Sequence, residues 1–521
     1  MTNLYTAGTV AALYRSVFRR FAEREALVGG ATRWRYAELA TRCHRMVRYL
    51  QSLGLVRQDG IAMLAGNSPD AVVVIIAAHF LGLRYTALHP MGALDDQAFV
   101  LRDAAIRLLV VDGSRFAERG AELAAQGIAE TVVSLGSAGF GVDAVAASAA
   151  FDGSETPIEA QADDVSKISY TGGTTGRSKG VVHHQRTVLT MTLQQLSSWE
   201  WPETTRFLVT TPISHAGGAM MLPTFLRGGT LVLAERYQPA SFLAAVQEHR
   251  ITATFLVPTQ IYGLLDYADR AQYDLSSLQY VLYGAAPIAP ARLAQALEVF
   301  GPIFGQLYGQ AESPMTIAYL RKDEHDLARP ELLQSCGSAL PGNEVQLLDA
   351  DLREVPVGEV GELCVRSPLT MSHYLNRPEE TVKAFAGQWL HTGDMARADA
   401  QGYLYLVDRA KDMIITGGFN VYSTEVEACL AQHEAVAQSA VVGVPDAKWG
   451  ESVLAVVVLK PDVKTPPSAE ALMAFVQQRK GPVIAPKAVV FADALPFTPL
   501  GKVDKKTLRA QFWQGQARQV G

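Results

Sequence analysis

Cysteine is scarce in this chain: four in 521 residues (Cys43, Cys336, Cys364 and Cys429), with no CxxC spacing. That argues against a disulfide framework and against a thiolate zinc site, and it fits a reducing cytoplasm. No sign of charge dominates either. Forty-six Lys and Arg against 52 Asp and Glu leave a net charge of −6, so nucleic acid is not an expected partner. Long apolar runs are missing too. The most apolar stretch, Ala71 to Leu83, is interrupted by His79 and is too short to span a bilayer, so it reads as a buried helix. The start, Met1-Thr2-Asn3-Leu4-Tyr5, has neither the basic region nor the apolar core of a signal peptide, and no repeat or low-complexity segment occurs.

What remains is a globular α/β pattern, long enough for about two to four domains. Tyr36, Leu39, Cys43, Met46, Leu50 and Leu53 mark one helical face before Gly54. Short apolar runs bounded by turn residues recur at 108–111, 207–210, 230–233, 254–257 and 280–283. Continuous apolar strands alternating with helices predict sheets covered on both faces. From about 343 to 408 the texture becomes alternating strands with Gly-rich turns, a β-barrel or sheet subdomain. The tail reads as a small α+β unit, with helices at 424–432 and 468–478 and strands at 437–442 and 452–459. The expected division is 1–408 and 409–521, set where charged residues separate two strand patterns.

Several segments carry chemistry. Thr171-Gly172-Gly173-Thr174-Thr175-Gly176, followed by Lys179, combines backbone donors, hydroxyls and a cation suited to a polyphosphate; it is not a Walker A loop, because Arg177 and Ser178 separate Gly176 from Lys179. His215 lies in Pro212-Ile213-Ser214-His215 after a strand. Gly284-Ala285-Ala286-Pro287 offers small residues against which a flat ring can lie. The run Gln306-Leu307-Tyr308-Gly309-Gln310-Ala311-Glu312 supplies an aromatic ring and a carboxylate fit for Mg²⁺. Asp394 suits a ribose diol, Arg409 and Lys411 form a basic step, and Lys502 sits on a tight turn near the end. His183-His184 are expected at the surface, because neighbours on a strand point to opposite faces.

In this order the segments resemble the adenylate-forming superfamily of acyl- and aryl-CoA synthetases, peptide-synthetase adenylation domains and firefly luciferase. The resemblance extends to Asn67-Ser68-Pro69 and Leu88-His89-Pro90 and covers nearly the whole chain. It implies a large N-terminal domain of two α/β halves and a β-barrel, with a mobile α+β C-terminal domain. It also implies two half-reactions. A carboxylate attacks the α-phosphate of ATP, giving acyl-AMP and pyrophosphate, and a thiol then displaces AMP. By resemblance, Thr171 to Gly176 and Lys179 hold phosphates, and Thr174 with Glu312 binds Mg²⁺. Gly284 to Pro287, Gln306 and Tyr308 frame adenine, Gly309 and Gln310 belong to the same cofactor-binding set, and Asp394 and Arg409 meet the ribose. Lys502 bridges the carboxylate and the α-phosphate, and rotation about Lys411 replaces it with Gly417, Gly418 and Phe419 beside the pantetheine arm of CoA.

Five positions depart from the usual family form: Gly172, Ser178, Ala311, Ser423 and Leu500. Ala311 lacks a hydroxyl donor, which costs roughly 0.5–1.5 kcal/mol and leaves room for a thioesterification-dominant enzyme that uses a supplied acyl-AMP. The same motifs also serve an acyl-AMP ligase that loads a carrier protein, or a non-catalytic acyl-nucleotide binder; a homodimer is left open. The residues expected around the acyl group (215–219, 283–285 and 310–314, with Met220 and Met221 beside them) are mainly small or apolar, with no Asp or Lys among them. The expected substrate is a hydrophobic carboxylic acid.

Overall fold

The computed structural model describes residues 8–171, 178–409, 412–416, 419–446, 448–461, 463–498 and 503–513. Among these, two large sheets dominate the first part of the chain. One has nine strands, with the parallel strands Tyr280–Tyr283, Ala253–Leu256, Arg206–Val209, Thr230–Leu233 and Glu25–Gly29 at its centre. The other has eight, in which Val165–Thr171 lies between Arg84–Ala87 and Lys179–His184. The apolar strands expected from sequence appear within a residue or two of their expected bounds.

The buried helix Pro69–Leu81 packs between the sheets. Its start is fixed by Ser68, whose Oγ accepts from Ala71 N, and by Pro69 in the first turn; Gly82, at φ +66°, ends it. Its apolar residues are covered on all sides, each Val or Ile contributing about 1.5–3 kcal/mol of burial. Asn67, just before it, ties the two sheets together. Its Nδ2 donates to the carbonyls of Thr211 (3.1 Å) and Ala234 (3.0 Å), while its Oδ1 accepts from Ile213 N (2.9 Å). This brace sets the segment that leads to His215.

The segment expected as a barrel or sheet subdomain is an antiparallel sheet of Glu344–Leu348, Val360–Arg366, Leu390–Ala398 and Leu404–Arg409. The C-terminal unit pairs Val436–Asp446 with Gly450–Leu459 in an antiparallel register that shifts once, between Val436 and Gln438, and covers them with the helices Ser423–Leu430 and Ala469–Lys480. No helix among the described residues is long and apolar enough to cross a membrane.

Ser423 has a specific use at the junction. Asp408 Oδ2 accepts both Ser423 N (2.5 Å) and Ser423 Oγ (2.7 Å), and Lys505 Nζ reaches Ser423 Oγ (2.6 Å) and Glu427 (2.8 Å). Burial raises the Asp408 carboxyl above its ordinary range, so these donors are needed to hold its charge. A proline at this position could donate through neither atom. Ser423→Pro is expected to cost about 1–3 kcal/mol by leaving that carboxylate underpaired, read as a lowered urea midpoint of the C-terminal unit. An unchanged midpoint would show that water replaces both donors.

Candidate active site

The strands Phe304–Gln310 and Ser313–Leu320 form a hairpin whose tip is Ala311-Glu312, with Gln310 opposite Ser313. Gly309 is required beneath the tip, because a Cβ there would stand 2.3 Å from Met315 N, and Met315 itself takes φ +64°. The tip carbonyl of Glu312 accepts from Met371 N (2.7 Å). Its carboxylate Oε1 accepts from the Tyr374 hydroxyl (2.8 Å), which burial and the Glu312 charge keep protonated. Lys179 Nζ lies 4.9 Å above the Tyr374 ring and ion-pairs with Glu380. Lys179 pairs with Thr171 across the two strands that flank the Gly/Thr segment. Gly172, Gly173, Thr174, Thr175 and Gly176 lie outside the described residues.

The same hairpin reaches a second charged centre. The Tyr308 hydroxyl donates to Asp394 Oδ2 (2.6 Å), and Arg409 Nε contacts Asp394 Oδ1 (2.6 Å) from the directly opposed strand position. Burial pushes the Tyr308 hydroxyl pKa far up, with the Asp394 charge adding to it, so it stays protonated and keeps its proton on the bond to Asp394. The turn before Asp394 is braced by Glu362, which accepts from Gly393 N (2.9 Å) and from His391 Nδ1 (2.7 Å). Cys364 stands next to this pair, and the three ligand atoms fall within 4.8 Å of one another. Burial holds the Cys364 thiol up at about 12, and His391 Nε2 is engaged by the Ala386 carbonyl, so the group reads as a structural brace.

Beside these centres, Gly284 follows the strand Tyr280–Tyr283 where a Cβ would meet Leu307 O at 2.5 Å. Ala285 takes φ +69°, a left-handed conformation costing about 1–2 kcal/mol in a residue with a side chain. Ala285 and Pro287 are exposed and Ala286 half-buried, leaving an accessible small-residue strip. Gln306 is buried beneath it with Oε1 against the Tyr283 hydroxyl (2.9 Å). His215 is half-buried, its Nδ1 2.7 Å from Ser214 Oγ and its ring 4.9 Å from His89; desolvation lowers it to about 3, so it is neutral at pH 7.

One expectation fails. His183 is not on the surface: it is 4% exposed, and its Nε2 donates to the Ala311 carbonyl (2.7 Å). Alternation correctly separates His183 from His184, but a sheet covered on both faces has a buried partner on either side. Phe419 is 60% exposed on its strand. Lys411, Gly417, Gly418 and Lys502, with Leu500, lie outside the described residues. Sequence reasoning missed Tyr374 and Glu380, which sit on an edge strand and a surface helix with no motif of their own.

The AMP-binding enzyme family matches residues 14–375, and the AMP-binding enzyme C-terminal domain matches residues 425–502. The chain belongs to this family of AMP-binding enzymes, and it is an ATP-dependent, AMP-forming ligase of the acyl-CoA ligase kind. It is 45% identical to the medium/long-chain-fatty-acid–CoA ligase FadD8 of Mycobacterium tuberculosis, over 96% of this chain and 90% of that protein. It is 33% identical to a feruloyl-CoA synthase of an Amycolatopsis species, over 93% and 95%. Among solved structures, the amide bond synthetase McbA of Marinactinospora thermotolerans aligns with a TM-score of 0.88 at 35% identity, covering 96% of this chain and all of that one.

Proposed function

We propose that this ligase activates a hydrophobic carboxylic acid with ATP and passes the acyl group to CoA. The observation that carries the reading is the hairpin of residues 304–320, which serves two charged centres assembled from five separated segments. Lys179, Tyr374 and Glu312 form one; Tyr308, Asp394 and Arg409 form the other. A triphosphate beside Lys179 would compete with Glu380 for its ammonium, exchanging one anion partner for another. Glu312 fits a hard divalent cation, because Oε2 has no hydrogen-bond partner among the described residues while Oε1 is fixed by Tyr374. Mg²⁺ bound there, with Thr174, would neutralise phosphate charge. Asp394, oriented by Tyr308 and Arg409, presents an acceptor to a ribose diol, and the Gly284–Pro287 strip lies open for the base. Lys502 carries the cation for the adenylation step, and the segment of Gly417, Gly418 and Phe419 receives the CoA arm after rotation at Lys411. The expected location is the cytoplasm.

The test is acid-dependent ATP–pyrophosphate exchange, followed by AMP release with CoA, with a holo carrier protein or with an amine as acceptor. Brisk exchange and CoA-dependent AMP release are expected with aliphatic or aromatic acids. Thioester formed from synthetic acyl-AMP without exchange would reassign the enzyme to the second half-reaction. Faster release with carrier protein or amine would reassign the acceptor.

A further inference from the structure

Ile61, Tyr85, Lys167 and His183 stand opposite one another on four adjacent strands of the eight-stranded sheet. Directly opposed residues share a face, and Ile61 and Tyr85 place that face in the core between the two sheets. Three of the four carry a polar atom with nothing to bond. The Tyr85 hydroxyl is buried without a partner, and so is His183 Nδ1, an acceptor because Nε2 carries the proton given to Ala311. The Lys167 ammonium has no hydrogen bond or ion pair among the described residues, and burial lowers its pKa to about 8. Yet Lys167 keeps part of its surface accessible. Since Ile61 and Tyr85 set this face against the second sheet, the accessible part of Lys167 opens toward the space between the sheets.

That space adjoins the acyl-lining segments. His183 holds the Ala311 carbonyl, and Lys167 is close enough to His215 to disfavour its protonation. His89, against the His215 ring, accepts Met91 N at Nδ1 (3.1 Å), so its proton is on Nε2, and that buried N–H has no partner either. The unmatched groups are therefore donor-rich: an ammonium, a hydroxyl and an imidazole N–H against one imidazole acceptor. Of these donors the Tyr85 hydroxyl and the His89 N–H are fully buried, and buried unpaired donors are rare in folded proteins and point to a missing acceptor.

We propose that Lys167, Tyr85 and His89 form a donor-lined distal subsite of the acyl pocket, selecting acids that carry a second oxygen acceptor away from the activated carboxyl. This rests on the ligase reading above and narrows its substrate: a hydrophobic body bearing one carbonyl, hydroxyl or carboxylate oxygen. Lys167 supplies the charge-assisted bond, and the Tyr85 hydroxyl can give a second. An acid without that oxygen leaves the donors unpaired, which is how polar sites reject analogues that lack the matching group.

The test uses matched pairs: straight-chain acids against their ω-hydroxy and ω-carboxy counterparts of equal length, and cinnamic against para-hydroxycinnamic acid. The wild-type enzyme is expected to favour the oxygenated member of at least one pair by about tenfold or more in kcat/KM. Lys167→Met should erase that preference while changing the plain acids by less than about threefold, and Lys167→Arg should retain it. Tyr85→Phe should weaken it in the same direction and serves if Lys167→Met does not fold. No preference in the wild type, or an equal fall for both members of every pair in Lys167→Met, would overturn the subsite. Calorimetric binding of the same pairs separates the two claims. An oxygen-dependent affinity lost in Lys167→Met, without AMP formation from any acid, would support the subsite and refute the ligase reading.

Discussion

Replacing Lys502 with alanine is expected to lower acid-dependent ATP–pyrophosphate exchange by about a hundred- to a thousandfold, the usual loss when one preorganised charge is removed from a transition state. Adenylation brings a carboxylate onto an α-phosphate that is already anionic. Lys179 stands at the far side of the Gly/Thr segment, with Glu380 and Tyr374 as its neighbours, so the chain offers another cation for the attack itself. Lys502 has the right flanks. Phe497 bridges to Val503, Asp504 N donates to the Pro496 carbonyl (2.8 Å), and Asp504 caps the helix Lys505–Ala510 through Thr507 N. The chain is thus pinned just before and just after the segment that holds Lys502. The neighbouring Lys505 is a control, since it is committed to Glu427 and Ser423. Burial pulls its pKa down, and the Glu427 and Asp408 charges more than reverse this.

The comparison that gives this prediction force is between half-reactions. Lys502→Ala should leave binding of a synthetic acyl-AMP within about tenfold, since the bond it loses matters most while charge is building. CoA-dependent release from that acyl-AMP should be affected least. Lys505→Ala should instead lower the stability of the C-terminal unit and touch both half-reactions together. Exchange at wild-type rate in Lys502→Ala would mean that the charge comes from elsewhere in the chain.

Much of this architecture is legible in the residues. A strand such as Thr230–Leu233 is apolar throughout because it is covered on both faces, and Ser68-Pro69 and Gly82 announce the ends of the helix between them. The order of the Gly/Thr segment, Glu312, Asp394 and Lys502 carries the family. What is not legible is which polar side chains meet. Lys179 finds Glu380 two hundred residues away, and nothing local to Glu380 marks it. Lys167 looks like an ordinary polar residue in a short strand, and its opposition to Tyr85 and His183 appears only once the strand order is known. The segments beside the motifs hold no lysine, and the proposed distal subsite draws its lysine from the sheet floor instead. Ser423, noted only as a missing proline, acquires a reason from Asp408, which the sequence places in a different element.

Acid should unfold this protein well before its carboxylates are titrated. His183 and His325, which are buried, and His79, which is half-buried, are lowered to about 4, and His215 to about 3, from an ordinary value of 6.5. Desolvation is the leading cause in all four. Folded imidazoles that resist protonation bind fewer protons than unfolded ones, so stability rises with pH across this window and is lost as pH falls below about 6.5. At about pH 5 each such histidine costs about 2 kcal/mol, and four together on the order of 8 kcal/mol, comparable to the whole stability of a typical domain. Two of the four show how little room the fold leaves for a new charge. His183 Nδ1 is a buried acceptor with no partner, where a new charge would be stranded, and His325 is locked between the Arg321 carbonyl and the Tyr283 hydroxyl. The apparent melting temperature should therefore be level above about pH 7 and fall steeply between about pH 6.5 and pH 5. His79→Gln removes one of the four titrations at small cost, since among the described residues its side chain makes a single long hydrogen bond, to Ser166 Oγ (3.5 Å), beside its ring contact with Tyr14. That variant should start lower at neutral pH and lose less on acidification. A melting temperature that stays level down to about pH 5 would mean that these imidazoles accept protons in the folded state, and hence that water reaches the space between the two sheets.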